Sequence, residues 1–154
     1  MLNDTIVLAP VSNNDLDYLY KLQCIEGIRE YALNSETPSY EEHIKWFNGK
    51  LNDGKTNFFK VIDKDSTIGV VRLDFLSENN KTVAEISLTI DPTYSGKGYA
   101  KRSINKIVNE TNVDIFHAVI HKMNIASQKV FLANDFKYHS AYRPNFDLYT
   151  YYKD

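Results

Sequence analysis

Closely spaced glycines and basic residues mark the middle of the chain, in residues 90–102. Gly96 and Gly98 stand between a predicted strand and a predicted helix, and glycines there let backbone N–H groups approach a ligand. The N-terminal end of a helix carries partial positive charge, and Lys97, Lys101 and Arg102 add cations beside it. This combination predicts a binding site for a polyanion such as a pyrophosphate group.

Two common phosphate-binding motifs do not fit this stretch. A P-loop has a glycine, four residues of any type and then Gly-Lys-Ser/Thr, which the run Gly96-Lys97-Gly98 does not supply. A dinucleotide fingerprint would need a third glycine where Lys101 stands. The alternative is a turn that opens a helix and merely contains glycines, but the preceding Asp91-Pro92 turn and the basic cluster favour an anion site.

An acidic residue stands out in the predicted strand 82–91. Glu85, Ser87 and Thr89 share one face of this strand, and apolar residues occupy the other face. An ionised carboxylate in a central strand costs free energy unless it is paired or functional. Glu85 is therefore a candidate general base, and the alternative is a structural carboxylate bonded to a neighbouring strand, for instance to Arg72.

A set of cationic and aromatic residues suggests a substrate pocket. Arginine binds phosphate or carboxylate oxygens, and aromatic rings stack on flat ligand faces. The alternatives are a core position for Trp46, a helix-surface position for His43, and an ion pair of Arg72 with Asp74 or Glu85. The candidate substrate residues are Arg29, Tyr40, His43, Trp46 and Arg72.

The histidines and the cysteine argue against metal and disulfide chemistry. His117 and His121 are four residues apart on a predicted strand, which separates them by about 13 Å along the chain. Since no cysteine or carboxylate cluster completes a ligand set, we expect no metal. The single cysteine, Cys24, excludes an intramolecular disulfide, and its apolar helical surroundings predict a buried, inert thiol.

The hydrophobic periodicity predicts a mixed α+β fold in the order β-α-α-β-β-β-α-β-α-β-β. Capping residues Ser12 and Ser39 open the first two helices, with a loop over residues 27–37 between them. The spacing of the second helix predicts an apolar stripe of Tyr40, Ile44, Phe47 and Leu51. The segment 82–121 reads as strand, crossover helix and strand, which implies one parallel connection in a mostly antiparallel sheet. The predicted strands are 5–9, 57–63, 66–75, 82–91, 113–121, 136–140 and 147–152, and the later helices are 99–110 and 124–133.

Length and charge limit the classes of function. The chain of 154 residues is expected to form a single domain over residues 1–154, without linkers or repeats. Its 18 Lys+Arg and 20 Asp+Glu give a net charge of −2, which provides no overall attraction to nucleic acid or to anionic membranes. No apolar run reaches the roughly 20 residues of a membrane span, and residues 1–10 do not resemble a signal peptide. We therefore expect a cytoplasmic protein without a nucleic-acid or membrane partner.

Two blocks resemble the GNAT superfamily of acetyl-CoA-dependent N-acetyltransferases. The cofactor loop of that family reads Arg/Gln-x-x-Gly-x-Gly/Ala, and Ser95-Gly96-Lys97-Gly98-Tyr99-Ala100 matches it at Gly98 and Ala100, with Ser95 in place of Arg or Gln. The last helix begins with Asn124-Ile125-Ala126-Ser127, as in the family, and the element order agrees over nearly the whole chain. The resemblance implies a twisted, mostly antiparallel sheet of about seven strands flanked by four helices.

The resemblance also implies a chemistry, in which an amine attacks the thioester of acetyl-CoA directly in a ternary complex. Glu85 would be the base. The usual acid is a tyrosine seven residues after Asn124, where this chain has Phe131, so Tyr138, Tyr94 or water would have to protonate the leaving thiolate. The family implies that backbone groups of Leu88, Thr89 and Ile90 bind the pantetheine arm. The other acetyl-CoA residues that it implies are Ser95, Gly96, Lys97, Gly98, Tyr99, Ala100, Asn124, Ser127 and Phe131.

A third block is similar to one branch of the superfamily. Residues 37–47 together with Val71-Arg72-Leu73-Asp74 resemble enzymes that acetylate nucleotide-linked amino sugars, including those of the pseudaminic and legionaminic acid type pathways. The implied partner is a small-molecule amine, with or without a linked nucleotide, and the implied assembly is a monomer or homodimer. The alternatives are a protein N-terminal or small-amine acetyltransferase and a non-catalytic acetyl-CoA-binding module.

Overall fold

The computed structural model describes residues 5–78 and 80–153, which form seven strands and four α-helices. The strands are β1 Ile6–Pro10, β2 Thr56–Asp63, β3 Ser66–Glu78, β4 Lys81–Ile90, β5 Ile115–His121, β6 Lys137–Arg143 and β7 Phe146–Tyr152. The helices are α1 Leu16–Gln23, α2 Tyr40–Asn52, α3 Tyr99–Glu110 and α4 Ile125–Leu132. The short 3-10 helix Asn13–Asp15 precedes α1, and a second one, Pro92–Tyr94, follows β4. The predicted element order and α+β class are confirmed, although β3 runs past the predicted end at residue 75.

The strands form one sheet in the order β1-β2-β3-β4-β5-β7-β6. Every neighbouring pair is antiparallel except β4 and β5, which are parallel because α3 carries the chain back over the sheet between them. The parallel connection predicted for residues 82–121 is therefore present, and it lies at the centre of the sheet. None of the helices in the described residues is long and apolar enough to cross a membrane.

Capping boxes begin the first two helical segments, as predicted. The Ser39 hydroxyl accepts from the N–H of Glu42 at 3.1 Å, and the Glu42 carboxylate accepts from the N–H of Ser39 at 2.8 Å. Ser12 and Asp15 make the same reciprocal pair at the 3-10 turn that leads into α1. Each cap satisfies backbone donors that have no partner within the helix and contributes about 1 kcal/mol.

Each face of the sheet carries its own hydrophobic core. Side chains of α3 and α4, such as Ile104 and Phe131, pack with Ala84 and Phe116 on one face. Side chains of α1 and α2, such as Leu19, pack on the other face with residues of β2 and β3. Consequently the alternation of β4 buries its even-numbered residues under α3 and turns Glu85 and its polar neighbours toward α1 and α2.

Two burial predictions are wrong, both on the α1–α2 face. Cys24 is exposed, because it is the C-cap residue of α1 and the chain leaves the core there. In α2 the fully buried positions are His43 and Phe47, whereas Tyr40, expected on the apolar stripe, is exposed. The helix is therefore rotated relative to the predicted stripe. As a result the imidazole of His43 is buried in the core, where the stripe had predicted only Tyr40, Ile44, Phe47 and Leu51.

Gly69 in β3 touches the backbone of β4. A Cβ atom at this position would lie 2.2 Å from the carbonyl oxygen of Thr89 and 2.9 Å from the Cα of Ile90. Only a glycine permits this approach, so Gly69 determines how closely β3 holds the C-terminal end of β4.

We expect Gly69→Ala to lower the free energy of unfolding by about 1–3 kcal/mol, because the strands must separate to admit the methyl group. The matched change Gly49→Ala places a methyl group in open space on α2 and should raise that free energy by about 0.5–1 kcal/mol. Urea-induced unfolding measures both values. Wild-type stability in Gly69→Ala would contradict the contact.

Candidate active site

The two central strands separate halfway along their length. β4 and β5 pair only through residues 83–85 and 115–117, and in the described chain no further pairing joins them. Nevertheless β4 continues to Ile90, held by β3, and β5 continues to His121, held by β7. The sheet therefore has a wedge-shaped opening, here called the split, between residues 86–90 and residues 118–121.

Backbone groups on both sides point into the split. The N–H of Asp91 donates to the carbonyl of Ile68 on the β3 side, whereas the carbonyl of Thr82 accepts from Asp114 on the β5 side. Successive residues of a strand direct their N–H and C=O groups to opposite edges, so the even-numbered residues of β4 face β5. The N–H of Ile86 completes the pairing of Glu85 with His117, whereas the C=O of Ile86 and both backbone groups of Leu88 point into the split. These groups offer an extended ligand the hydrogen bonds that a further strand would make.

The same alternation corrects one expectation about cofactor contacts. Thr89 directs its backbone toward β3, opposite Val70, and so its N–H and C=O are not available in the split. Its side chain lines the cavity described below. Ile90 has the backbone orientation of Leu88, so the predicted backbone contacts remain possible for two of the three residues.

The split opens into a cavity of about 470 Å³. β4 and β5 form its floor, the loop between α1 and α2 covers it, and the first turns of α4 close one end. Nine of the residues predicted for the site line this cavity: Arg29, Trp46, Arg72, Glu85, Leu88, Thr89, Asn124, Ser127 and Phe131. Residues from every predicted group except the glycine loop thus converge on one space.

Three of the predicted catalytic and substrate residues lie outside this cavity. Tyr40 is 42% exposed and donates its hydroxyl to Asp17 at 2.7 Å. Tyr138 is 58% exposed on the outer strand β6, so the structure does not bring it together with Glu85. His43 is 2% exposed, lies 5.8 Å from the ring of Trp46 and lines a small adjoining pocket.

Arg72 and Trp46 form one wall of the cavity. The Arg72 guanidinium donates from Nε to Asp74 at 2.8 Å and lies 5.2 Å from the centre of the Trp46 ring. Lys50 donates to the other oxygen of Asp74, also at 2.8 Å. Of the two ion-pair partners considered for Arg72, Asp74 is the one observed. The core position considered for Trp46 is not observed, because this side chain is 38% exposed.

Glu85 lies in a row of polar residues that crosses the sheet. Its register partners are Asp74 on β3 and His117 on β5, and His117 contacts the hydroxyl of Thr150 at 3.0 Å. Burial raises the pKa of the Glu85 carboxyl above its usual range, and the Asp74 carboxylate adds to the rise. The cations Arg72, Lys50 and Arg143 oppose it. A carboxylate with a raised pKa in a cavity is suited to accepting a proton.

The glycine loop lies beyond the end of β4, at the start of α3. Gly96 and Gly98 have positive φ angles of 77° and 79°, and a Cβ at either would meet nothing within 4 Å. The first N–H to donate back along the helix is that of Arg102, to Gly98 at 3.1 Å, so the three preceding N–H groups remain available to a ligand. The Ser95 hydroxyl instead donates to the carbonyl of Pro92 at 2.8 Å.

Neighbouring side chains support this loop. The Tyr99 hydroxyl donates to Asp63 at 2.5 Å, and the Arg102 guanidinium lies 4.8 Å from the Tyr99 ring centre. Lys97 lies 5.9 Å from the centre of the Tyr94 ring. With Gly98 as the N-cap of a 12-residue helix, the loop has the open backbone donors and the local positive charge that a pyrophosphate group requires.

Tyr31 and His121 are among the cavity residues that the sequence did not identify. The rings of Tyr31 and His121 lie 5.0 Å apart, and both line the cavity. His121 Nδ1 accepts from the N–H of Met123 at 3.0 Å, which leaves the proton of a neutral imidazole on Nε2. The available signal was the strand alternation, since His121 lies on the same face of the sheet as Glu85. Among the described residues no cluster of three or more His, Cys, Asp or Glu side chains suits a metal ion.

The chain matches a known family over most of its length. A model of the acetyltransferase (GNAT) domain covers residues 5–137. A curated relative, the spermidine N(1)-acetyltransferase of Vibrio cholerae serotype O1, is 26% identical over 109 residues, which are 70% of this chain. The matched stretch spans 62% of that relative's length.

Solved structures share the fold at lower identity. Spermidine N-acetyltransferase from Vibrio cholerae, in complex with CoA and spermine, superposes with a TM-score of 0.82 at 20% identity, covering 96% of this chain and 94% of that one. RimL, an alpha-N-protein acetyltransferase in complex with coenzyme A, gives 0.82 at 17% identity, covering 100% and 97%. These names refer to polyamines and proteins, not to the nucleotide-linked amino sugars that residues 37–47 suggested.

The family match, the split sheet and the glycine loop agree, and the chain belongs to the GNAT acetyltransferase domain family.

Proposed function

We propose that this protein transfers the acetyl group of acetyl-CoA to a primary amine of a small molecule, by direct attack in a ternary complex. The observation that carries the proposal is the split between β4 and β5, which opens between the glycine loop and Glu85. The family match and the relatives support an amine acceptor, and they favour a small amine over a nucleotide-linked sugar.

The coenzyme has a natural position along β4. Its pyrophosphate would accept from the backbone donors at the start of α3, close to Gly98. Its pantetheine arm carries amide groups, which would pair with the C=O of Ile86 and with the backbone of Leu88 in the split. The thioester would then lie in the cavity, where a backbone N–H of β4 stabilises the negative charge that grows on the carbonyl oxygen during attack.

Acetyl transfer requires two proton movements. Attack joins the amine nitrogen to the carbonyl carbon and breaks the C–S bond. The amine loses one proton, which Glu85 accepts, and the leaving thiolate gains one. Phe131 cannot donate a proton, and neither Tyr138 nor Tyr94 is among the residues that line the cavity. We therefore assign the proton donor to water, and the neutral imidazole of His121 would supply an Nε2–H hydrogen bond to the thiolate. The products are an acetamide and the free thiol of coenzyme A.

Gly98→Trp should abolish measurable CoA binding while the fold survives, because the indole fills the open space that the phosphates would occupy. Gly54→Trp is the matched control: Gly54 also has a positive φ, of 68°, and open space, but it lies at the end of α2. Isothermal titration with CoA compares them. Equal CoA affinity in the two variants would contradict the position assigned to the coenzyme.

Release of CoA thiol from acetyl-CoA tests the function, with a panel of small amines, N-terminal peptides and nucleotide-linked amino sugars. We expect turnover with at least one small amine. Turnover with peptides alone would overturn the small-molecule acceptor, and acetyl-CoA binding without turnover on any amine would identify a non-catalytic module.

In the same assay Glu85→Gln should lower kcat by about 100-fold or more, as expected for removal of a general base. Since the pKa of Glu85 is raised, the wild-type rate should rise with pH as this carboxyl ionises, above the ordinary glutamate value of about 4.3. The variant should lose this dependence, and its deficit should shrink at high pH, where more of the free amine is unprotonated.

Glu110→Gln, a change at the far end of α3, should leave both the rate and its pH dependence unchanged. If Glu85→Gln retained the wild-type pH profile, Glu85 would have a structural role instead.

A further inference from the structure

Arg29 projects from the loop between α1 and α2 and lines the same cavity as Glu85. Its two terminal nitrogens are held in place: one donates to the Gln23 side-chain oxygen at 2.5 Å and the other to the carbonyl of Asn34 at 2.7 Å. Both acceptors are uncharged. The guanidinium is thus fixed in position without a counter-ion from these contacts.

The charge of Arg29 has no compensation in the described residues. No ion pair joins it to a described carboxylate, and its Nε is buried without a hydrogen-bond partner. Burial lowers the pKa of the Arg29 guanidinium, with no neighbouring charge acting against that effect. Arg72 differs, because Asp74 neutralises it at 2.8 Å. A partly buried cation of this kind is costly unless a ligand supplies the anion.

The overall charge of the cavity also favours a ligand that carries an anion. Glu85 is the only carboxylate among its described lining residues, and two guanidinium groups, those of Arg29 and Arg72, face it. When Asp74, which pairs with Arg72, and Lys50, which pairs with Asp74, are also counted, cations still outnumber carboxylates. A polyamine would bring additional ammonium groups toward Arg29, and like charges repel in a partly buried site.

We propose that the acceptor carries a carboxylate or phosphate group beside its amine, and that Arg29 binds this anion while the amine meets Glu85. This inference rests on the proposed acetyl transfer and specifies its substrate class: anionic amines, not polycations. The fork of a guanidinium suits both anions, since each offers two oxygens in one plane.

Matched acceptors that share an amine test the proposal in the thiol-release assay. Phosphoethanolamine is compared with ethanolamine, β-alanine with its amide, and spermidine serves as the polycation. We expect kcat/KM about 10- to 100-fold higher for the anionic member of at least one pair, the range of a charge-assisted hydrogen bond. The phosphate and carboxylate pairs show which anion is preferred.

Variants assign that preference to one residue. Arg29→Gln should abolish the preference for the anionic member, and Arg29→Lys should retain part of it. Lys21→Gln, which removes an exposed cation of α1, should leave it unchanged. Equal turnover of anionic and neutral amines, or faster turnover of spermidine, would overturn the inference while leaving acetyl transfer intact. An increase in the KM for acetyl-CoA, equal for every acceptor, would assign Arg29 to the coenzyme and also overturn it.

A binding measurement keeps the test independent of turnover. Inorganic phosphate is titrated calorimetrically into the protein saturated with CoA, so that the glycine loop is already occupied. We expect binding to the wild type and to Lys21→Gln but not to Arg29→Gln. Equal binding to wild type and Arg29→Gln, or no binding to either, would contradict an anion site at Arg29. Failure of every amine to turn over would overturn the proposed function separately.

Discussion

The site depends on the short contact between β4 and β5. At its closed end, Thr82 and Asp114 join the strands by two hydrogen bonds of 2.8 Å, and Ala84 and Phe116 are buried beneath it. Beyond that point each strand is held by its other neighbour, β4 by β3 and β5 by β7. Because these outer partners hold the two strands apart there, the split leaves backbone donors and acceptors facing a cavity. Such groups favour a ligand that supplies amides of its own.

The two faces of the sheet support different parts of the site around this opening. The α3–α4 face contains the larger core, and it fixes the helix whose N-terminus holds the glycine loop. The α1–α2 face carries the polar row through Glu85, together with the loop that holds Arg29. A coenzyme lying in the split would therefore meet an acceptor arriving from the opposite side of the sheet, as direct attack requires.

The sequence predicted the elements well but not all of their contacts. The capping serines, the glycine loop and the polar face of β4 follow from local spacing, which is why Gly98 and Glu85 could be identified in advance. The burial of His43 depends on how α2 is rotated against α1, which no local pattern contains. The backbone direction of Thr89 depends on its register with β3, and the role considered for His121 depends on where β5 leaves β4. The acceptor was the least predictable feature, because a few residues of local similarity do not determine a cavity's charge.

Amide hydrogen exchange of β4, followed by NMR with and without CoA, tests the central claim most directly. Leu88 should exchange rapidly in the free protein and at least about tenfold more slowly with saturating CoA, because its N–H group faces the split. Glu85 and Ser87 provide the internal control, since their N–H groups already bond β3 and should be protected in both states. Unchanged exchange at Leu88 in the presence of bound CoA would contradict the placement of the coenzyme in the split.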